Sequence, residues 1–205
     1  MNIDAVNFVK ISELANVTAG FPFREAIRDE PNGDTPVVQM RNTTAASGVD
    51  WPSAVRVKLP PKKPPRWLED GDVLFAARGA NNYALHVERP PERAVCSPHF
   101  FVLSAINRAH ALPAFVAWQI NQAPAQKQLD AVATGSHIRN IRRQALQSLC
   151  IALPSIDHQS AIIAFANAAH GERALFERLA LNRQQQLDAL ALGLFMKRGV
   201  QDNER

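Results

Sequence analysis

Cysteine is nearly missing from this chain: of 205 residues only Cys96 and Cys150 carry a thiol, far apart and in no CxxC pair. That excludes a disulfide framework and a four-cysteine zinc site, and both are expected as buried free thiols. The nine glycines include no two that stand two apart, so the GxGxxG turn of a dinucleotide or cofactor fold is absent; no Gly-Lys-Ser/Thr occurs, so there is no Walker phosphate loop. GxSxG, HxH and HExxH are missing as well. Cys96 and His99 have the C-x-x-H interval without a second ligand pair, and no metal is expected. The three proline doublets follow Leu59, Lys63 and Arg89, so the proline tetrapeptide that grips the target amine in amino-methyltransferases is not there. Long apolar runs are lacking too. The longest, residues 189–196 (ALALGLFM), falls far short of the ~20 residues that span a bilayer. The opening MNIDAVNFVK has no basic segment leading into an apolar core, so no secretory leader is expected and the expected compartment is the cytoplasm.

Charge of one sign is scarce in total, +4, but it is unevenly placed. Residues 1–155 hold the whole excess and residues 156–205 are neutral. Within the first part, Arg56, Lys58, Lys62, Lys63 and Arg66 stand in an acid-free stretch, 52–68, and Arg139, Arg142 and Arg143 in another, 131–156. Runs of this kind suit a polyanion whose counterions are released on contact, though either alone is also what a solvated basic loop looks like. Asp70 and Asp72 bracket a glycine and are read as turn formers.

Up to about Pro124 the chain alternates short β-type segments with turn chemistry. The strand candidates are 36–40 (PVVQM), 54–59 (AVRVKL), 72–77 (DVLFAA), 84–88 (ALHVE) and 99–104 (HFFVLS). Asn-Gly-Asp, Asp-Gly-Asp and the proline doublets stand between them. Residues 113–133 turn helical, with Pro124 a break between two short helices, and a last strand is expected at 149–153. From Asp157 to Lys197 no proline interrupts the pattern. Ile162, Phe165, Ala169, Phe176, Leu179, Leu187, Leu190 and Leu194 recur close to a heptad seam, with one phase shift near Arg183, while Glu172, Arg173, Glu177, Arg178, Arg183, Gln184, Gln185 and Asp188 are assigned to the outer face. The expectation is an α+β protein: a strand-rich recognition domain with short helices at 1–155, a coiled-coil dimerisation helix at 156–198 and a tail at 199–205. A helix broken at Gly171, or folded back on its own domain, is the competing possibility.

The order of these features resembles one half of the specificity subunit of type I restriction-modification systems. The resemblance rests on KISELA at 10–15 leading to GFPF at 20–23, on VVQMRN at 37–42, and on LEDGDVL at 68–74 with Ala77-Arg78-Gly79. It continues through TGSHIRNI at 134–141 and IALP at 151–154, followed by His158-Gln159 and Ile162-Ile163. His158 stands where the family usually has Glu, and the chain has one recognition domain and one helix where full subunits have two of each. The resemblance implies a protein without catalytic activity or a cofactor of its own. Its partners would be double-stranded DNA, a second copy of itself, a methyltransferase subunit that holds S-adenosylmethionine, and an ATP-driven restriction subunit, with no membrane. Two copies paired antiparallel would read a bipartite palindrome and position two methyltransferase subunits.

Base edges in the major groove are read by Arg, Asn and Gln, and phosphates by any reachable cation. Gln39, Arg41, Asn42, Arg78, Asn81, Asn82 and Tyr83, each just after a strand, are therefore candidate base readers. Lys62, Lys63, Arg66, Arg139, Arg142 and Arg143 are candidate phosphate contacts, with Ser136 and His137 beside them. The alternative function is a structural or regulatory adaptor that joins a multiprotein complex through its coiled-coil helix.

Overall fold

The computed structural model describes residues 6–61, 64–135 and 139–201, the last six of these by backbone alone. Lys62, Lys63, Ser136 and His137 lie outside the described residues, as do residues 202–205 of the expected tail.

Apolar residues that do not alternate with polar ones need cover on both faces, and two such runs build the centre. Strand β1 (Asn7–Lys10), helix α1 (Ile11–Leu14) and β2 (Asn16–Ala19) open the chain, followed by β3 (Thr35–Val38), the 3-10 turn Met40–Asn42, β4 (Thr43–Thr44), β5 (Gly48–Val49) and β6 (Val55–Val57). Then come β7 (Val73–Ala76), β8 (Arg78–Gly79), β9 (Ala84–His86), β10 (Val95–Cys96) and β11 (Phe100–Ser104). The main sheet is antiparallel in the order β2-β11-β7-β9. Its register sets Leu103 on Val73, Val102 on Leu74, Phe101 on Phe75 and Phe100 on Ala76. Because side chains alternate along a strand, Val73, Phe75 and Leu103 enter one apolar core, and Leu74, Ala76, Phe100 and Val102 the other. An antiparallel sheet commonly leaves one face to water; covering both explains the unbroken runs VLFA and FFVLS.

The first core is closed by helices α2 (Pro113–Ile120), α3 (Ala123–Asp130) and α4 (Arg143–Ser148), through Phe115, Val116, Ile120, Leu129 and Leu146. Proline stands at the start of α2 and of α3, where its missing N–H would be unpaired anyway. The break therefore falls at Asn121-Gln122, just ahead of Pro124. Asn121 clasps β9, accepting from the Ala84 N–H and donating to the Ala84 carbonyl at 2.8 Å each. A smaller sheet, β10-β3-β6, is parallel between β10 and β3 and antiparallel between β3 and β6. It covers a third cluster of Phe21, Val37, Val57 and Val95. Strand β13 (Cys150–Leu153) pairs antiparallel with β1, Asn7 opposite Leu153, which fastens the chain's beginning to the segment just before its last helix.

Five strand candidates and the strand before Pro154 are present, each within a residue or two of its expected ends; β1, β2, β10 and α4 had no signal strong enough to mark them. Helix α5 runs without interruption from Ile156 to Gln201, through both Gly171 and Gly193. Its 46 residues make a rod about 69 Å long. The first compact unit extends to Ile163, and it includes the first turns of α5. There Gln159, 0% exposed, donates to the carbonyls of His110 and Pro154 at 2.9 Å each and accepts from the Leu112 N–H at 2.9 Å. Ile162 and Ile163 pack against the first core, so Ile162, expected in the dimer seam, serves the domain. The second unit begins at Ala164. From Asn167 to Phe195 every residue is exposed.

Candidate nucleic-acid interface

Three segments distant in sequence converge on the end of β7. After Ala76 the chain enters β8, and β12 (Arg139–Asn140) pairs with it antiparallel, Arg139 opposite Gly79 and Asn140 opposite Arg78. The pairing continues on both sides: the Ile141 N–H donates to the Ala77 carbonyl at 2.9 Å, and Thr134 and Asn140 exchange backbone bonds of 3.2 and 3.0 Å across the loop. Gly79 has φ +149, a value side chains rarely adopt, and a Cβ there would lie 2.4 Å from the Met40 methyl. The close approach brings the 3-10 turn Met40–Asn42 against β8. The hydroxyls of Thr43 and Tyr83, 2.6 Å apart, join the same turn to the end of the 79–83 loop.

The side chains of Arg41, Arg78, Asn81, Arg142 and Arg143 are exposed and have no hydrogen-bond or ion-pair partner among the described residues, so their donors are open to a ligand. Arg142 and Arg143 stand at the start of α4, directly after β12. Arg139 is exposed but ion-paired with Asp130, which lowers its net contribution to the local field. Gln39 is half-buried, with an Nε2 that finds no acceptor among the described residues.

Four expected contacts are structural instead. Asn42 is buried, its amide donating to the Ser53 carbonyl and hydroxyl at 2.8 and 2.9 Å while its oxygen accepts from the Gln39 N–H. Asn82 is buried and donates to the Ala76 carbonyl at 2.9 Å. Tyr83 packs on the second core with its hydroxyl engaged by Thr43. Arg66 grips Asp72 through two bonds of 2.8 Å and the Trp67 carbonyl through a third. Burial pulls down the pKa of Arg66, but the hydrogen bond and charge of Asp72 outweigh it, and the net shift is upward. Three of its five N–H donors are spent in this way, which leaves only the Nε–H and one Nη2 hydrogen for a phosphate. Of the two aspartates read as turn formers, Asp72 also accepts the Glu69 N–H. Asp70 accepts from the Arg89 N–H and from Arg108, which together hold its carboxyl below the usual value.

Asn140 joins the candidates on structural grounds alone. It is half-buried, its side-chain amide has no partner among the described residues, and it faces Arg78 in register. In sequence it sits inside a basic run, and only the β8–β12 pairing reveals it as the neighbour of a candidate base reader. Gln159 belongs to the motif that follows Pro154, and its three bonds to backbone groups give the physical reason. Among the described residues no three His, Cys, Asp or Glu side chains gather as metal ligands would, and no helix is long and apolar enough to cross a membrane.

A double-faced sheet with helices on one side, a paired loop edge rich in unpartnered Arg and Asn, and a long terminal helix define a recognition module. The chain belongs to the type I restriction modification DNA specificity domain family, whose model matches residues 3–168. That family is the recognition component of such systems and not the catalytic one. Among solved structures, the HsdS subunit of Thermoanaerobacter tengcongensis matches with a TM-score of 0.66 and 22% identity, over 91% of this chain and 47% of that one. The type I restriction-modification S subunit of M. genitalium matches with a TM-score of 0.56 and 17% identity, over 80% of this chain and 39% of that one. The chain thus spans less than half the length of either. No curated protein matches the sequence significantly.

Proposed function

We propose that the chain reads double-stranded DNA as the specificity component of a type I restriction-modification system. Two copies joined through α5 would present two identical recognition domains to a bipartite palindromic site and position methyltransferase subunits there. An ATP-driven restriction subunit is a further partner, S-adenosylmethionine is held by the methyltransferase, and the setting is the cytoplasm. The observation that carries this reading is the β8–β12 pairing, which gathers Arg78, Asn81 and Asn140 beside Arg41 with their polar groups unengaged. Arg142 and Arg143 supply the positive charge that anchors a phosphate backbone.

The roles divide by chemistry and can be separated by measurement. Arg142→Ala and Arg143→Ala are expected to weaken binding evenly across DNA sequences, each lowering the slope of log affinity against log salt by about 1. Arg78→Ala is expected to lose about 1–3 kcal/mol on the cognate site and to relax sequence choice. Fluorescence anisotropy on cognate and scrambled duplexes, in the presence of the methyltransferase, measures both. An equal loss on all sequences from every variant would refute the division, and no DNA binding under any condition would favour the adaptor.

A further inference from the structure

The seam of α5 contains two gaps, and what fills them is charged. At 100° per residue, Phe165, Ala169, Phe176, Leu179, Leu187, Leu190 and Leu194 fall on one arc of the helix. The steps between them are three or four residues except from Ala169 to Phe176 and from Leu179 to Leu187. Glu172 and Arg183 occupy the skipped positions and lie within the same arc, so they belong to the seam and not to the outer face. With them included, the row alternates steps of four and three with a single stutter after Arg183. Phe165, Phe176, Leu179, Leu187, Leu190 and Leu194 are all exposed, Phe165 at 78% and Phe176 at 70%. Glu172 has no partner among the described residues, and Arg183 donates only to Gln186 on its own helix at 2.9 Å.

A charge inside an apolar row discriminates strongly among registers, because each wrong alignment buries it unpaired. A parallel pairing of two copies sets Glu172 on Glu172 and Arg183 on Arg183. An antiparallel pairing about a midpoint between Glu177 and Arg178 sets Glu172 against Arg183 twice, and the same midpoint places Phe176 against Leu179 and Phe165 against Leu190. Ala169 then faces Gln186, one residue short of Leu187, where the stutter has moved the row. Sliding this alignment by a heptad either way leaves Glu172 opposite Phe176 or Leu190 and Arg183 opposite Phe165 or Leu179.

We propose that a second copy of this chain lies antiparallel on the α5 seam in the one register that pairs Glu172 with Arg183 of the other copy across a two-fold axis between residues 177 and 178. This rests on the antiparallel homodimer reading above and adds its alignment. The two Ala164 positions then lie about 40 Å apart along the axis, the spacer from which the gap in the DNA site follows.

Sedimentation equilibrium of the full chain at tens of micromolar tests it, using wild type, Glu172→Arg, Arg183→Glu, the double variant, and an equimolar mixture of the two single variants. Each single variant meets two like-charge contacts per dimer and is expected to raise the dimer dissociation constant about tenfold or more. The double variant and the mixture restore unlike pairs and are expected to return close to wild type. Such rescue by a partner variant also excludes misfolding as the cause of the loss. A wild-type dimer with single variants that associate as tightly, or a double variant that stays weak, overturns the register and leaves the homodimer standing. A monomeric wild type overturns the homodimer and the register with it.

Discussion

The compact unit up to Ile163 and the helical unit from Ala164 treat apolar residues in opposite ways. In the first, Phe75, Phe100, Phe115, Leu74 and Leu103 are wholly buried, and both faces of the central β7–β11 pair have their cover. In the second, Phe165, Leu175, Phe176, Leu179, Leu187, Leu190, Leu194 and Phe195 are all more than half exposed. Hydrophobic residues are plentiful in both, so composition does not separate them; the difference is whether the chain supplies its own second surface. A sheet with helices on one face and loops on the other is complete. A single rod can satisfy its backbone, but its apolar stripe can be buried only by something else.

The largest expected contrast tests that difference. Phe100→Ala, in the sheet, is expected to cost about 3–5 kcal/mol of unfolding free energy in urea. Phe176→Ala is expected to leave the domain's urea transition within about 0.5 kcal/mol while weakening self-association. Similar losses of domain stability from both would show that the helix phenylalanine has an intramolecular partner, and the comparison would break.

Gln159 sharpens it further, because it is the residue of α5 most fully drawn into the domain. Gln159→Ala leaves the Leu112 N–H and the carbonyls of His110 and Pro154 without their partner. An expected loss of about 1–3 kcal/mol, measured by thermal or urea unfolding, follows from stranding buried polar groups. A neutral result would mean that the first turns of α5 hold to the domain by apolar packing alone.

The smallest effect concerns the buried thiol. Desolvation pushes the Cys96 pKa from 9.0 up to about 12, so the folded state keeps its proton where the unfolded chain releases it. Stability from this source is complete below pH 9 and declines as pH rises toward 12, by about 1.4 kcal/mol for each pH unit in that window. Unfolding free energies of wild type and Cys96→Ala from urea titrations, compared at pH 8 and pH 10, should diverge by about 1.4 kcal/mol. Equal pH dependence in the two would show that the thiol is not sealed in the core.

Much of the domain was legible because the signals are local. Residues 72–77 and 99–104 are apolar enough to demand burial on any reading, Pro113 and Pro124 divide two short helices, and the stretch from Asp157 to Lys197 contains no proline to stop a helix. The pairing of β1 with β13 was not legible, since a half-polar tetrapeptide such as NFVK becomes a strand only when a partner far along the chain offers its edge. The candidate interface shows the same limit. Arg78, Asn81, Arg142 and Arg143 stand out by residue type, and their side chains are exposed and without partners among the described residues. Asn42, Asn82, Tyr83 and Arg66 have equally suitable chemistry, yet they are engaged by Ser53, Ala76, Thr43 and Asp72. Asn140 needed the β8–β12 register to be seen at all.

By itself the sequence determined which segments are too apolar to stay in water, where the backbone must turn, and that a long helix carries an apolar row close to a heptad repeat. Those are properties of residues and their near neighbours. Only the tertiary structure decided which polar side chains remain free for a ligand, because a donor's availability depends on which acceptor the fold brings beside it, and that acceptor is often dozens of residues away.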